Sequence, residues 1–355
     1  MKVSRLLFLL LLTFSIVHGQ DKTPKSTGND NSKATRLLLD TCEIELNKLA
    51  PTFYDIPIAI SLDQDDYSDN FNWDPPSITI ARGFIYNSLD SLGIQSAGKP
   101  DLTLAQLDFN HYTNEQIETV LLTVLCHEYG HFLRKLYNDT LMTELGNVHP
   151  LLQKQQVEYT CDFISGFMSG KALWRQIRDR LYHICCGNNP LQIIELIKAV
   201  DSLDIPRLDA TFACLDPFVL PYRKSELLIK YGTDCDHGLG EERKKAFDAG
   251  IFFSIYDGIA REKFEDKAVL ALLLKLLGKT GSLDETKQSF ANNLTRYLIQ
   301  RKGMNEAVTP VLKAYTGPEL YATAFRYCRT LPKKSDGCPI DLHLHFDPAV
   351  RTGRQ

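Results

Sequence analysis

The sequence predicts an α+β fold, predominantly helical, with a small sheet near the N-terminus and a helical extension at the C-terminus. Three observations predict it. Ile-rich, β-branched stretches are confined to residues 56–61 and 77–85. Helical apolar spacing recurs from about residue 113 to residue 330. The longest helical pattern carries His127-Glu128-Tyr129-Gly130-His131 at its centre. The composition permits such a fold: 44% apolar and 24% charged residues in 355 are globular values, which exclude a disordered or low-complexity chain. A formal net charge of −4 disfavours nucleic acid as a partner. The one basic cluster, Arg243-Lys244-Lys245, follows two Glu and reads as a solvated helix face.

The elements follow in chain order. A basic start (Lys2, Arg5), the apolar run Leu6–Val17 and small residues at Val17-His18-Gly19 read as a secretory signal peptide over 1–19. Its removal takes away two basic residues and no acid, leaving 38 basic against 44 acidic. No later stretch reaches a membrane-spanning length, so no transmembrane helix is expected after signal cleavage, and the chain is expected to be secreted or periplasmic. Residues 20–34 are polar and turn-rich, a disordered lead-in. A helix is expected at about 36–50, then the two strands, with an acidic loop at 62–76 between them.

Thr113-Asn114-Glu115-Gln116 fits a capping box and starts the long helix. A second helix is expected from about Pro150 to Leu173. Further helices are expected at about 191–202, 222–231, 241–263, 265–278, 283–301, 304–315 and 317–330, with capping boxes at Ser282–Glu285 and Thr316–Glu319. The domain reading is a core over 35–250, a helical extension over 251–330 and an irregular tail over 331–355 that wraps the surface.

All nine cysteines follow the leader, and outside the cytosol some should pair. Cys328 and Cys338 bracket a turn and read as a local disulfide. Cys126 and Cys161 fall within the motif helices and read as buried thiols with a packing role.

The chemistry lies in the HExxH run. Two His four residues apart share one helix face, so both imidazoles can reach one Zn²⁺. Glu128 beside them can take a proton from a metal-activated water and pass it to the leaving amine. The third ligand distinguishes the classes. The long metzincin motif needs Gly and His where this chain has Arg134 and Tyr137, so that reading fails. A gluzincin needs Glu on a following helix, and Glu158, 27 residues after His131, supplies it. Glu144 and Asp139 are rivals; Glu144 lies in a turn-like Glu-Leu-Gly-Asn and lacks a helical platform. Asp162, one turn after Glu158, is placed to orient a ligating His through its other ring nitrogen. Two His and one carboxylate leave a fourth position open, as in a catalytic rather than a structural zinc site.

The HEYGH run, the Glu158-x-x-x-Asp162 pair with Gly166 closing Asp-Phe-Ile-Ser-Gly, and Asp236-His237-Gly238 followed by Arg243, Phe247 and Gly250 together resemble the putative neutral zinc metallopeptidases. These are gluzincins akin to the prenyl-protease and heat-shock membrane metallopeptidases. The resemblance covers residues 77–250 in patches. The chain departs from it at Thr160-Cys161, in the long 251–355 segment, and in lacking multiple membrane helices. The resemblance implies a gluzincin-like zinc peptidase core with one zinc per chain and a peptide or protein substrate. It implies that His237 stands near the metal and donates a hydrogen bond to the oxyanion, although His237 also fits as a helix-start or loop-packing residue. It implies that strand 77–85 is an edge strand, taking substrate along Ile78, Thr79, Ile80 and Ala81; a plain core strand is the other reading.

His111 and His149 read as loop residues, and His343 and His345 as a weak HxH pair in the tail. Asn138 and Asn293 head glycosylation sequons, which matter only in a eukaryote. The expected function is an exported zinc metalloendopeptidase. The alternative is a zinc-bearing, non-catalytic binding or scaffold protein that uses its C-terminal helical region.

Overall fold

The computed structural model describes residues 40, 42–44, 46–47, 58–63, 70–73, 76–81, 114–142, 149–186, 199, 202–212, 238–261, 283–302 and 310–333. The expected leader, the 20–34 lead-in, the helices at 222–231 and 265–278, and His111, His237, His343 and His345 lie outside these residues. The described part is mostly helical with one small sheet, as the fold class requires.

The sheet has three strands: β1 (Ala59–Asp63), β2 (Asn70–Trp73) and β3 (Pro76–Ala81), in the order β1-β3-β2. β1 runs parallel to β3, with Ile60 opposite Ile78; β2 runs antiparallel to β3, with Asn70 opposite Thr79. Two expectations need correction here. The segment 62–76 contains a strand as well as a loop: Asn-Phe-Asn-Trp alternates polar and aromatic residues, enough for a short hairpin partner. And β3 is the middle strand: Ile78 and Thr79 are flanked by β1 and β2, so no substrate strand can pair with them, while Ile80 and Ala81 pair with β1 on one side.

The helical residues 43 and 47 cover the outer side of β1. Glu43 Oε2 accepts from Ile60 N–H at 2.8 Å. Asn47 accepts from Ile58 N–H and donates to its carbonyl, both at 2.8 Å. Side chains thus satisfy an edge that would otherwise be exposed. The edge on the side of the HExxH helix is β2.

α1 (Asn114–Met142) and α2 (Pro150–Cys186) are consecutive helices joined by a short connection. α2 continues thirteen residues past the expected end at Leu173. Ala172, Leu173 and Trp174 maintain its buried side, and no Gly or Pro breaks the run before Cys186. Then come α3 (Ile205–Phe212), which the sequence reading did not anticipate, α4 (Gly240–Arg261), α5 (Leu283–Lys302) and α6 (Gly317–Thr330). The helix expected at 304–315 is absent over 310–315, which run as non-helical chain into α6. Asp257 Oδ1 takes the Tyr315 N–H at 2.8 Å, a donor that a continuing helix would have used internally. Thr316 opens α6 as expected: its N–H and hydroxyl donate to Glu319 Oε2 at 3.1 and 3.0 Å.

Two hydrophobic clusters organise the packing. The first joins the sheet (Ile60, Ile78), α1 (Leu125, Tyr129, Phe132) and the first half of α2 (Phe163, Phe167) to Phe253 of α4 and to Tyr321 and Phe325 of α6. The second gathers Leu173 and Trp174 of α2, Leu208 of α3, Phe252 and Ile255 of α4, and Leu294 and Tyr297 of α5. The boundary expected at residue 250 therefore falls inside α4, and α6 belongs to the same core as the HExxH helix. The described residues of 251–330 pack against α1, α2 and α4. Leu331 likewise packs into the first cluster rather than starting a purely superficial tail.

α2 and α4 cross with their backbones in contact. A Cβ on Gly166 would lie 2.0 Å from the Phe247 carbonyl oxygen, and one on Gly250 would lie 2.0 Å from that of Phe163. This close crossing fixes α4 against α2 around residues 163–166. Among the described residues no helix is long and apolar enough to cross a membrane.

Candidate metal centre

Gly130 lets α1 and α2 meet at the site. A Cβ there would stand 2.8 Å from Cys161 Cα, so any side chain would push the helices apart. The approach brings α2 under the two histidines. Glu158 Oε2 lies 3.3 Å from His127 Nε2, and Glu158 Oε1 lies 3.7 Å from His131 Nε2. Two donors on a tetrahedral zinc stand about 3.3–3.5 Å apart, given bonds of about 2.0–2.2 Å. The three side chains thus already sit near the separation that one ion needs, and their N,N,O chemistry fits zinc.

His127 is orientated from behind. Its Nδ1 lies 2.8 Å from Asp162 Oδ1. With a proton held on that nitrogen, a metal that displaces the second proton from Nε2 meets a lone pair directed at Glu158 and His131, the tautomer that ligation requires. Asp162 is itself held by Arg243, whose Nε and Nη2 donate to Oδ2 and Oδ1 at 2.7 and 3.0 Å. Both charges are buried, Asp162 completely and Arg243 at 2% exposure. Such burial is tolerated because the pair is bidentate and Asp162 also accepts from the imidazole.

Arg243, one of the residues that carry the resemblance, was otherwise read only as part of a solvated basic cluster. It is not part of a solvated face; only its neighbours Lys244 and Lys245 remain partly exposed. A signal was present: Arg243, Phe247 and Gly250 are spaced i, i+4, i+7, which places the arginine on the face that packs on α2.

The titration behaviour follows from these partners. Burial opposes charge on His127, but Asp162 and then Glu158 outweigh it and raise the metal-free imidazole to about 10. Burial holds His131 down to about 4, with Glu158 opposing and His127 and Arg134 adding to the effect. Burial pushes the Asp162 carboxyl up, but Arg243 and His127 prevail and hold it below its ordinary value.

Cys161 is closer to the centre than its packing role suggested. Its sulfur and one ring nitrogen from each of His127 and His131 lie within 4.8 Å of one another. Burial, then Glu158 and Asp162, push the thiol well up. Cys42, Cys126 and Cys328 are likewise buried free thiols. Cys328 donates its thiol hydrogen to the Tyr159 carbonyl at 3.2 Å, so the expected bridge to Cys338 is not formed.

The remaining candidates fall as follows. Glu128 is partly exposed beside His127. Asp139 is helical, its side chain outside the described set, and Glu144 is outside it altogether. Exposed His149 accepts from Leu151 N–H at 3.3 Å, a loop and cap role. The residue after His237, Gly238, is described: it has φ +84°, and a Cβ on it would lie 2.5 Å from the hydroxyl of Tyr159, the neighbour of Glu158. Segments distant in the chain thus meet here: Asp162 with Arg243, Gly166 with Phe247, Tyr159 with Gly238.

No protein-family model, no curated protein and no solved structure matches this chain.

Proposed function

We propose that the chain is an exported zinc metallopeptidase of gluzincin type, with His127, His131 and Glu158 as ligands of one zinc. The observation that carries this reading is the convergence of two imidazoles and one carboxylate at ligand spacing, with Asp162 and Arg243 fixing the tautomer of His127. Zinc held there would supply a Lewis acid that polarises a peptide carbonyl and acidifies water. The protein's own groups do the rest. Glu128, adjacent to His127 and partly exposed, takes a proton on its carboxylate as water attacks and returns it to the departing amine. An extended peptide adds to β2, the sheet edge nearest α1, rather than to β3. The resemblance set out above supports the same reading, since its scattered residues contact one another. Export rests on the leader-like first nineteen residues.

The test is metal analysis followed by a peptide-library digest. Purified protein should hold one zinc per chain, lost in His127→Ala/His131→Ala, and wild type should cleave peptides while Glu128→Gln keeps zinc and does not. Zinc content unchanged by the double substitution would sink the reading.

A second reading, a zinc-bearing scaffold, is favoured by one observation: Cys161 lies within reach of the same ion. A thiolate in the fourth position would close the site and leave no place for substrate. Cobalt loading separates the two readings. A strong sulfur-to-cobalt charge-transfer band that disappears in Cys161→Ser supports the closed site; its absence supports the open one.

A further inference from the structure

The Tyr159 hydroxyl joins three parts of the chain. It accepts from Leu239 N–H at 2.9 Å and donates to the Pro332 carbonyl at 3.0 Å. Leu239 is the last residue before α4, and its carbonyl accepts from Arg243 N–H at 3.0 Å. Arg243 then reaches back to Asp162, one turn beyond Tyr159 on the same helix. The result is a closed circuit from α2 through the first turn of α4 and back to α2, ending at His127 Nδ1.

A second set of contacts ties this turn to the C-terminal segment. Gln156 Nε2 donates to the Phe325 carbonyl at 2.7 Å, and the Cys328 thiol donates to the Tyr159 carbonyl. Lys333 lies over the Tyr159 ring at 5.7 Å and caps α6 through the carbonyls of Cys328 and Leu331 at 3.2 and 3.1 Å. The contacts fall on residues 156 and 159, around the carboxylate ligand.

We propose that Tyr159 is a positioning residue for the metal centre: clamped by the strap Leu331–Lys333, its hydroxyl sets the height of the first turn of α4, so that Arg243 meets Asp162 and Asp162 holds His127. This gives the C-terminal segment a role that its sequence did not reveal, as the outer brace of the ligand turn. The inference rests on the metal reading above, and the experiment separates their failures.

Cobalt affinity of the full-length protein is measured by chelator competition, with the visible cobalt spectrum recorded in parallel. Tyr159→Phe keeps the ring and removes only the hydroxyl. It should weaken cobalt binding by roughly tenfold or more and shift the ligand-field bands, as loss of support behind a ligand does. Gly238→Ala attacks the same joint from the other side, because its methyl would overlap the Tyr159 hydroxyl at a φ of +84°. It should have the same effect. Tyr256→Phe is the matched control. Its hydroxyl donates to Asn292 Oδ1 within the second cluster, and its loss should lower Tm without changing cobalt affinity or spectrum. Tyr159→Phe that lowers Tm and leaves affinity and spectrum at wild-type values overturns the inference alone. Wild type that takes up no cobalt overturns the metal reading, and the inference with it.

Discussion

The mostly buried run 155–174 of α2 divides into a polar half and an apolar half. Residues 155–162 bury Gln155, Gln156, Glu158, Thr160 and Asp162 beside Val157, Tyr159 and Cys161; residues 163–174 bury Phe163, Ile164, Phe167, Met168, Leu173 and Trp174, with Ser165 and Ser169 the only buried polar side chains among them. The apolar half needs no explanation beyond removal from water, worth roughly 1.5–3 kcal/mol for each large side chain. The polar half does need one, because a buried charge is costly unless it is paired. Its partners are specific: Arg243 for Asp162, His127 for both carboxylates, Phe325 for Gln156. One helix is therefore a structural beam at one end and a ligand platform at the other, and substitutions in the two halves should fail in different ways.

The largest effect should come from Glu158→Ala. Tight metal binding and peptidase activity should be lost together, while helical circular dichroism stays near wild type. The two hydrophobic clusters hold the fold without the metal, unlike a zinc finger. Full retention of zinc and activity would place the third ligand elsewhere, with Asp139 or Glu144 next to test.

Asp162 should separate fold from site. Asp162→Ala strips the partner from a fully buried guanidinium and should cost about 3–5 kcal/mol in denaturant unfolding. Asp162→Asn keeps one acceptor, Oδ1, which His127 Nδ1 and Arg243 Nη2 already share, but loses the charge and turns an amide donor towards Arg243 Nε. It should lower metal affinity or activity by roughly 10–100-fold, at a stability cost below that of Asp162→Ala because one acceptor remains. Equal destabilisation by the two variants would mean that the lost carboxylate charge opposite Arg243, rather than the remaining hydrogen bonds, sets the cost.

In the apolar half, Trp174→Leu should cost roughly 1–3 kcal/mol and leave metal affinity unchanged, since its neighbours lie in the second cluster. A change in metal affinity there would show that the halves are coupled along the helix.

The same contrast explains what the sequence made legible. His127, His131, Glu158 and Asp162 were readable because their chemistry is tied to helical spacing, and spacing survives folding. The strand order was not: which strand lies in the middle depends on non-local pairing, and the Ile-rich β3 looks the same centrally or at an edge. Arg243 was misread because it stands in a run of charges, and nothing local distinguishes the one that turns inward. The strap at 331–333 was invisible for a different reason, since its bonds to Tyr159 use backbone carbonyls and capping groups that any sequence supplies. The expected boundary at 250 falls inside α4, because nothing local in Gly240–Arg261 marks where the contacts of one helix pass from the first cluster to the second.

The smallest expected effect is a proton count, and it probes the polar half without any substitution. In the metal-free protein His127 is raised to about 10 and His131 lowered to about 4, so at pH 8 the first is charged and the second neutral. A metal ion on His127 Nε2 must displace that proton, while His131 has none to lose. Binding at pH 8 should therefore release about one proton per ion, measured as the dependence of calorimetric heat on buffer ionisation enthalpy. The sign carries over to stability. A raised imidazole stabilises the metal-free fold fully below its ordinary value of about 6.5, and that contribution fades as pH rises through about 10. Metal-free protein should thus lose Tm between pH 7 and 10, and zinc-loaded protein should not lose it by this route. Release of no proton at pH 8 would mean that His127 is neutral there without metal, and that Asp162 and Glu158 do not outweigh its burial.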